Sequence, residues 1–223
     1  YEWLKLISNN YKINYTFSEF DHKFLKKFFE ISVLPVPMIL KINKKKNFKI
    51  KSFIISMFSS NMAQDFNGIK ILYYKLIPHL KEKKLLNKCK FYLIMKKPSY
   101  LPLEIKKIIS DRLIKIKKYN DAIINSTNLL FYPSNYPVGF RSKILFAFSK
   151  SIFVATSATV KKCIPELENN KNCLMSNNLN TLNHQISNLI NNPKKFKYLI
   201  KSSYFILKKY SSKRAFDKIL KDM

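Results

Sequence analysis

From residue 52 onward the chain alternates short apolar stretches with amphipathic ones, and this constrains its fold more than any other feature. SFIISMF (52–58), KFYLIM (90–95), LIKIKKY (113–119), NLLFYPS (128–134) and SIFVATS (151–157) read as strands. A helix is predicted over NGIKILYYKLIPHLKEKK (67–84), where Ile69, Leu72, Tyr73, Leu76 and Leu80 share a face and the last turn is lysine-rich, as the helix dipole prefers. LPLEIKKIISDRL (101–113), with Pro102 in its first turn, DAIINST (121–127) and RSKILFAFSK (141–150) are the next helices. Three more follow at 181–192, 194–210 and 212–221. Strands and helices in this order predict an α/β fold, a parallel sheet with helices on both faces. Ligands in such sheets bind beyond the carboxyl ends of the strands. The loops at that end are 59–67, 96–101, 117–121, 133–141 and 156–163.

Upstream the pattern is less regular. Residues 1–35 read as short helical or mixed pieces, with FSEFDHKFLKKFF (17–29) starting on a capping-type Ser18 and Asp21. VLPVPMIL is extended because of its two prolines, and INKKKNFKIK is a polar, basic bridge. The division expected is 1–35, the end of one domain; 36–50, a linker; and 51–223, a second domain with C-terminal helices. The chain starts at Tyr1, and it is expected to be a piece of a longer or processed protein.

Hydrophobic residues make up 47% of the 223, which suits a sizeable core and excludes a disordered class. The net charge of +29 points to polyanions. Only Arg112, Arg141 and Arg214 are arginines, however, and the remaining basic residues are lysines. Lys, Asn, Ile, Phe and Tyr dominate together and share A/T-rich codons, so biased coding accounts for much of the excess. The lysines are also scattered through helices, and nucleic acid is therefore set aside as a partner. No apolar run approaches the 18 or more residues of a membrane span. Cys89, Cys163 and Cys173 lack metal-ligand spacing and read as reduced thiols of an intracellular protein.

The chain has two glycines, Gly68 and Gly139. Gly139 lies in LLFYPSNYPVGFRSKILFAFSKSIFVATSATV (129–160), which reads strand, loop, glycine, basic turn, helix, strand. A glycine opening a helix, followed by Arg141 and Lys143, suits a diphosphate: helix N–H groups point at the anion and the cations neutralise it. The same spacing also fits an ordinary strand-to-helix turn with solvated charges.

The order of these pieces resembles a known family. PS…GFRSKIL…VATS…IPELENNKN, preceded by NMAQDFNGIKILYYKLIPHLK and followed by LINNPKKFKYL, is similar to the donor-binding C-terminal domain of GT-B glycosyltransferases of the group 1 / family 4 type, a Rossmann-like α/β fold. The resemblance runs from about residue 17 to the end, so 1–35 would close an acceptor domain and 51–223 would be the nucleotide-sugar-binding domain. It implies a transferase, of hexosyltransferase type, that moves a sugar from a nucleoside diphosphate-sugar to a glycan or lipid-linked acceptor in glycan biosynthesis. By this reading Gly139, Arg141, Ser142 and Lys143 hold the donor diphosphate. Asn61, Asn67 and Gly68 form the sugar and phosphate loop. Lys117, Tyr119, Ser134 and Phe146 line the base and ribose pocket, with Ser157–Thr159 beside it. Catalytic residues stay unknown because the acceptor domain is almost wholly absent, and this chain alone is expected to be inactive.

There are departures from the family pattern. Two glutamates of many members fall at Val138 and Phe146, and a phenylalanine ring cannot accept hydrogen bonds from ribose hydroxyls. A glycine usual after the helix is Lys150 or Ser151 here. His22, His79 and His184 have no partners at metal or triad spacing, Asp-x-Asp pairs are missing, and no cofactor or metal is required. The expected location is cytoplasmic, peripheral to the inner face of a membrane, which the basic helix at 194–210 would touch if it does not simply pack on the domain. Two rival classes stay open: a basic nucleic-acid-binding protein, and a degenerate, non-catalytic glycosyltransferase-like domain.

Overall fold

The chain is seen in a computed structural model, which describes residues 15–16, 23, 25–27, 32–33, 52–60, 63–96, 101–135, 141–210, 217 and 220. Near the start, β1 (Tyr15–Thr16) and β2 (Ser32–Val33) pair in parallel. The helix expected over 17–29, the connector and bridge at 34–50 and the terminal helix at 212–221 lie almost wholly outside the described residues.

Six further strands form one sheet: β3 (Phe53–Ser59), β4 (Cys89–Met95), β5 (Ile114–Lys118), β6 (Leu129–Tyr132), β7 (Phe153–Thr156) and β8 (Leu174–Met175). Their order is β5-β4-β3-β6-β7-β8 and every neighbouring pair is parallel. This is the parallel α/β sheet that the sequence predicts, with one strand more, β8, which is too short to show as an apolar run. The chain starts in the middle at β3, builds outward to β5, then returns to β6 and builds outward the other way. The switch point is the seam between β3 and β6. That seam is short, with Ile55 opposite Leu129 and Ser56 opposite Leu130. Asn128 extends it by one rung: its backbone N–H donates to the Ile54 carbonyl at 2.9 Å and its side-chain oxygen accepts from the Ile54 N–H at 2.7 Å.

The helices are α1 (Ala63–Ile71), α2 (Ile77–Glu82), α3 (Leu103–Ser110), α4 (Asp121–Ser126), α5 (Ser142–Ser149), α6 (Leu179–Asn191) and α7 (Lys197–Lys209). Alternate strand residues face opposite ways. Phe53, Ile55, Met57, Phe91, Leu93, Phe131 and Phe153 pack with Ile69, Leu76, Ile105, Leu182 and Ile186 in one core. Leu130, Tyr132, Ile94 and Val154 pack with Ile124, Ile144, Leu145 and Phe148 in the other. Thus α1, α3 and α6 cover one face and α4 and α5 the other. Helix α7 touches both, through Leu199 and Ile200 on one side and Ile206 and Leu207 on the other.

The helix expected to begin at Asn67 begins four residues earlier, at Ala63, because Asp65 favours its first turn. Between α1 and α2 the turn Leu72–Leu76 is a π turn, with the Ile77 N–H reaching back to the Leu72 carbonyl. Pro78 explains it: a proline ring clashes with the carbonyl one turn back, and the wider turn gives it room without breaking the helix.

Three helix ends show what few glycines mean locally. Lys84, Arg112 and Ser151, each just past a helix, have φ of 54°, 58° and 56°. At the last of these the Ser151 N–H donates to Phe148 and the Ile152 N–H to Ala147, both at 3.0 Å, the paired bonds of a Schellman cap. The position left open between Lys150 and Ser151 is thereby settled: Ser151 takes the left-handed conformation that a glycine would take without strain. Its hydroxyl meets the Tyr204 hydroxyl at 2.6 Å.

Candidate functional site

Among the described residues, the most buried charges gather at the carboxyl ends of β3 and β6. Strand β6 ends in Tyr132, followed by Pro133 and Ser134, all buried, and α5 begins shortly after with Arg141 at its N-cap. The Arg141 side chain does not cap this helix start, so it does not consume the leading N–H groups. Across the seam, β3 ends at Ser59 and α1 begins at Ala63.

Side chains from these two loops and helices interlock. Lys143 Nζ donates to Asp65 Oδ1 at 2.6 Å, and the Asp65 side chain is 1% exposed. Asp65 Oδ2 accepts from the Ser60 N–H at 2.8 Å and from the Ser60 hydroxyl at 3.2 Å. Arg141, 6% exposed, donates from Nη1 to Gln64 Oε1 at 2.9 Å. Both cations hang over the Tyr132 ring, with Arg141 Cζ 5.9 Å and Lys143 Nζ 5.6 Å from its centroid. Burial pulls the Lys143 ammonium below the usual lysine range, and Asp65 opposes that pull. Burial likewise raises the Tyr132 phenol, against the effect of Arg141.

A second cluster lies one turn further along α5. The Phe146 ring meets Phe58 edge-on at 6.0 Å and tilts against Tyr119 at 6.2 Å. Lys150 Nζ sits 5.7 Å from the Phe146 centroid and 3.5 Å from Asp121 Oδ1. Lys117 Nζ lies 5.5 Å over the Tyr92 ring. Tyr119 is 44% exposed, which leaves a free aromatic surface here.

Of the residues expected to bind, Arg141, Lys143 and Ser134 come together at the seam, with Ser142 exposed on the first turn of α5. Tyr119 and Phe146 come together at the aromatic cluster, while Lys117 is placed over the Tyr92 ring. Asn67 and Gly68 do not sit in a loop: both lie within α1, a consequence of its early start. Gly68 is buried where a Cβ would come 2.5 Å from the Met57 methyl and 3.6 Å from Pro133 Cδ, so its small size lets α1 pack closely on β3 and on the end of β6. Thr159 is held by Asn177, whose side-chain oxygen accepts from its N–H and its hydroxyl, each at 3.1 Å. Gly139, Asn61 and Val138 lie outside the described residues. Asp65, Gln64, Ser60 and Tyr132 were not anticipated. The one signal for them was an acidic residue inside the 59–67 segment, already placed at the ligand-binding end. Among the described residues no three His, Cys, Asp or Glu side chains are grouped to hold a metal ion.

No protein-family model matches the chain, and no curated protein sequence does. Solved structures do. TarM matches 99% of this chain with a TM-score of 0.80 at 20% identity, over 45% of its own length. HepE from Anabaena, in complex with UDP and glucose, matches 99% with a TM-score of 0.75 at 12% identity, over 65% of its length. The pneumococcal O-GlcNAc transferase GtfA, in complex with UDP and GlcNAc, matches all of the chain with a TM-score of 0.69 at 13% identity, over 46% of its length. The chain therefore has the Rossmann-like α/β fold of GT-B glycosyltransferases, as the resemblance implied. It spans about half to two thirds of the length of these structures.

Proposed function

We propose that this chain is the donor-binding part of a glycosyltransferase, transferring a hexose from a nucleoside diphosphate-sugar to a glycan or lipid-linked acceptor. One observation carries the reading. Arg141 and Lys143, at the start of a helix that the Arg141 side chain does not cap, converge at the β3–β6 switch point, where an anion would meet two cations and helix N–H groups at once. HepE and GtfA, which share the fold, were crystallised with UDP and a sugar.

In this reading the diphosphate lies against Arg141, Ser142 and Lys143, with Ser134 beneath. Gly139 and Asn61 keep the roles that the resemblance gives them, close approach for the one and a sugar or phosphate contact for the other. The base and ribose rest against Tyr119, Phe146 and Lys117. As the glycosidic bond to the donor breaks, negative charge grows on the departing diphosphate. Preformed cations in a partly buried crevice stabilise that charge with little reorganisation. The donor's sugar would face the acceptor domain, which the longer proteins of this fold supply, so the chain alone binds donor without turnover. No metal is needed for this chemistry, since the cations do its electrostatic work.

Two observations favour a second reading, a non-catalytic domain of the same fold. Asp65 neutralises Lys143 from within the site, and Phe146 offers a ring where ribose hydroxyls would seek an acceptor.

A thermal-shift titration with UDP, GDP, ADP and their sugar conjugates at about 150 mM salt, where exposed lysines are largely screened, separates the readings. Stabilisation by one nucleoside diphosphate of about 2.7 kcal/mol at a hundredfold excess over Kd, lost in Arg141→Ala/Lys143→Ala, is the expected result. Equal shifts with every polyanion would establish a nucleic-acid-type binder instead. No shift with any nucleotide, in a chain that melts cooperatively, would point to the degenerate domain or to a site that needs the acceptor half.

A further inference from the structure

Helix α7 closes the fold with one face in both cores and the other bare. Leu199, Ile200, Ser203, Ile206 and Leu207 are buried. On the opposite side Tyr198, Lys201, Phe205 and Lys208 follow at spacings of three, four and three, which aligns them along one stripe. All four are exposed, and Phe205 is 72% exposed, a benzyl group standing in water. Lys208 Nζ lies 5.6 Å over the Phe205 ring, so charge and apolar surface sit side by side. Lys194 and Lys195 add exposed charge in the turn before the helix. Lys209 is left out of this set, since it pairs with Glu166.

The charge of this stretch is of one sign. Between Glu168 and Asp217 the sequence has no acidic residue. Biased codon usage would raise lysine everywhere, but it does not place an exposed phenylalanine and tyrosine among Lys194, Lys195, Lys201 and Lys208. The described residues include no helix long and apolar enough to cross a membrane, so any membrane contact they make would be at the surface.

We propose that this face of α7 docks on an anionic phospholipid surface, with Phe205 and Tyr198 entering the headgroup region and Lys194, Lys195, Lys201 and Lys208 meeting the lipid phosphates. Aromatic rings favour that boundary, and a lysine keeps its stem in the apolar layer while its ammonium stays with the phosphates. Charge chooses the occupant. A second copy of the chain would bring another +29 against this face, and is repelled. A lipid surface supplies negative charge and an apolar layer together, which the alternation of Phe205 with lysines requires. The inference stands apart from the donor reading, because it uses none of the seam residues.

The test is binding to vesicles of phosphatidylcholine with and without phosphatidylglycerol, at about 150 mM salt to screen the general charge. The chain should sediment with the anionic vesicles only. Phe205→Ser, which changes no charge and lies on the surface, should weaken binding about tenfold, the loss expected when a bulky apolar group no longer leaves water. Lys201→Gln/Lys208→Gln should weaken it far more than Lys81→Gln/Lys83→Gln, which removes the same charge at the exposed end of α2. Unchanged thermal melting will show that each variant is folded. A direct reporter is Phe205→Trp in a Trp3→Phe background, whose fluorescence should shift to the blue on anionic vesicles. Equal losses from both lysine pairs, with no effect of Phe205→Ser, would overturn the proposal in favour of unspecific charge. Fluorescence of the Phe205→Trp variant that stays red with vesicles, yet is quenched by a single-stranded RNA oligomer that Phe205→Ser no longer binds, would overturn it in favour of nucleic acid.

Discussion

The seam cluster and the aromatic cluster sit a single helical turn apart on α5, yet they are built by opposite means. At the seam, Asp65 holds Lys143 and both groups of Ser60, while Arg141 is tied to Gln64. These are directional bonds anchored on two buried groups, Asp65 and Arg141, and they fix side chains before any ligand arrives. Around Phe146, by contrast, rings lie about 6 Å apart at open angles and Tyr119 is half in solvent. Ring contacts of that sort have broad minima. The comparison teaches that the end of the crevice suited to a diphosphate is rigid and dictated by charge, while the end suited to a base can adapt.

The largest effect should come from the rigid end. Asp65→Ala leaves a lysine partly buried without its counter-ion and strips Ser60 of its acceptor, and is expected to cost about 3 kcal/mol in urea denaturation. Phe146→Ala should cost roughly half as much, since the ring is only partly buried. If the two losses are equal, or reversed, the contrast between the clusters does not hold. Next in size is a gain of function. Phe146→Glu would offer ribose hydroxyls a charged acceptor and is expected to tighten nucleoside diphosphate binding about tenfold, or ~1.4 kcal/mol, by calorimetry. Unchanged affinity would move the ribose away from the aromatic cluster.

Smaller effects lie outside both clusters and serve as controls on them. Ser151→Gly relieves a left-handed serine at the cost of one hydroxyl contact, and should raise stability by about 1 kcal/mol while nucleotide binding stays the same. The smallest effect concerns His79, which packs edge-on to His184 at 4.8 Å and meets Ser187 Oγ at 3.1 Å. Burial, then the neighbouring His184 and Lys83, lower its pKa, with Glu82 opposing. The unfolded chain therefore holds the proton more readily than the folded one. The stability this provides is complete above about pH 6.5, the ordinary histidine value, and declines as the pH falls through the lowered folded value. A pH series of melts from 8 to 5 should show a loss well under about 1 kcal/mol, because solvent screens the partly exposed ring, and His79→Gln should abolish it.

The sheet was legible in the sequence because parallel strands buried on both faces leave nearly unbroken apolar runs, as β3, β4, β6 and β7 do, while the edge strand β5 shows instead by alternating apolar residues with lysine. Strand β8, two residues long, leaves none. The α1 start was displaced because Asn67-Gly68 reads as a turn locally, whereas the structure uses Gly68 for a close approach to Met57 and Pro133, which no local pattern encodes. At the site, Arg141 and Lys143 were visible as cations at a helix start. Asp65 was not, since a buried counter-charge is a fact of the tertiary structure: it stands 78 residues from its lysine. Phe146 was visible as a departure, but the rings that surround it were not.

The left-handed caps at Lys84, Arg112 and Ser151 carry one further meaning. Codons for glycine begin with two guanines, and those for lysine and asparagine are nearly all adenine and thymine. A chain with two glycines and a great excess of lysine bears the mark of one mutational pressure on both counts. At most sites an A/T-rich codon merely swaps one surface polar group for another. At these three it bends a backbone into a conformation that a side chain resists. The scarcity of glycine thus enters the protein as torsional strain, held at helix ends where a residue without a side chain would carry none.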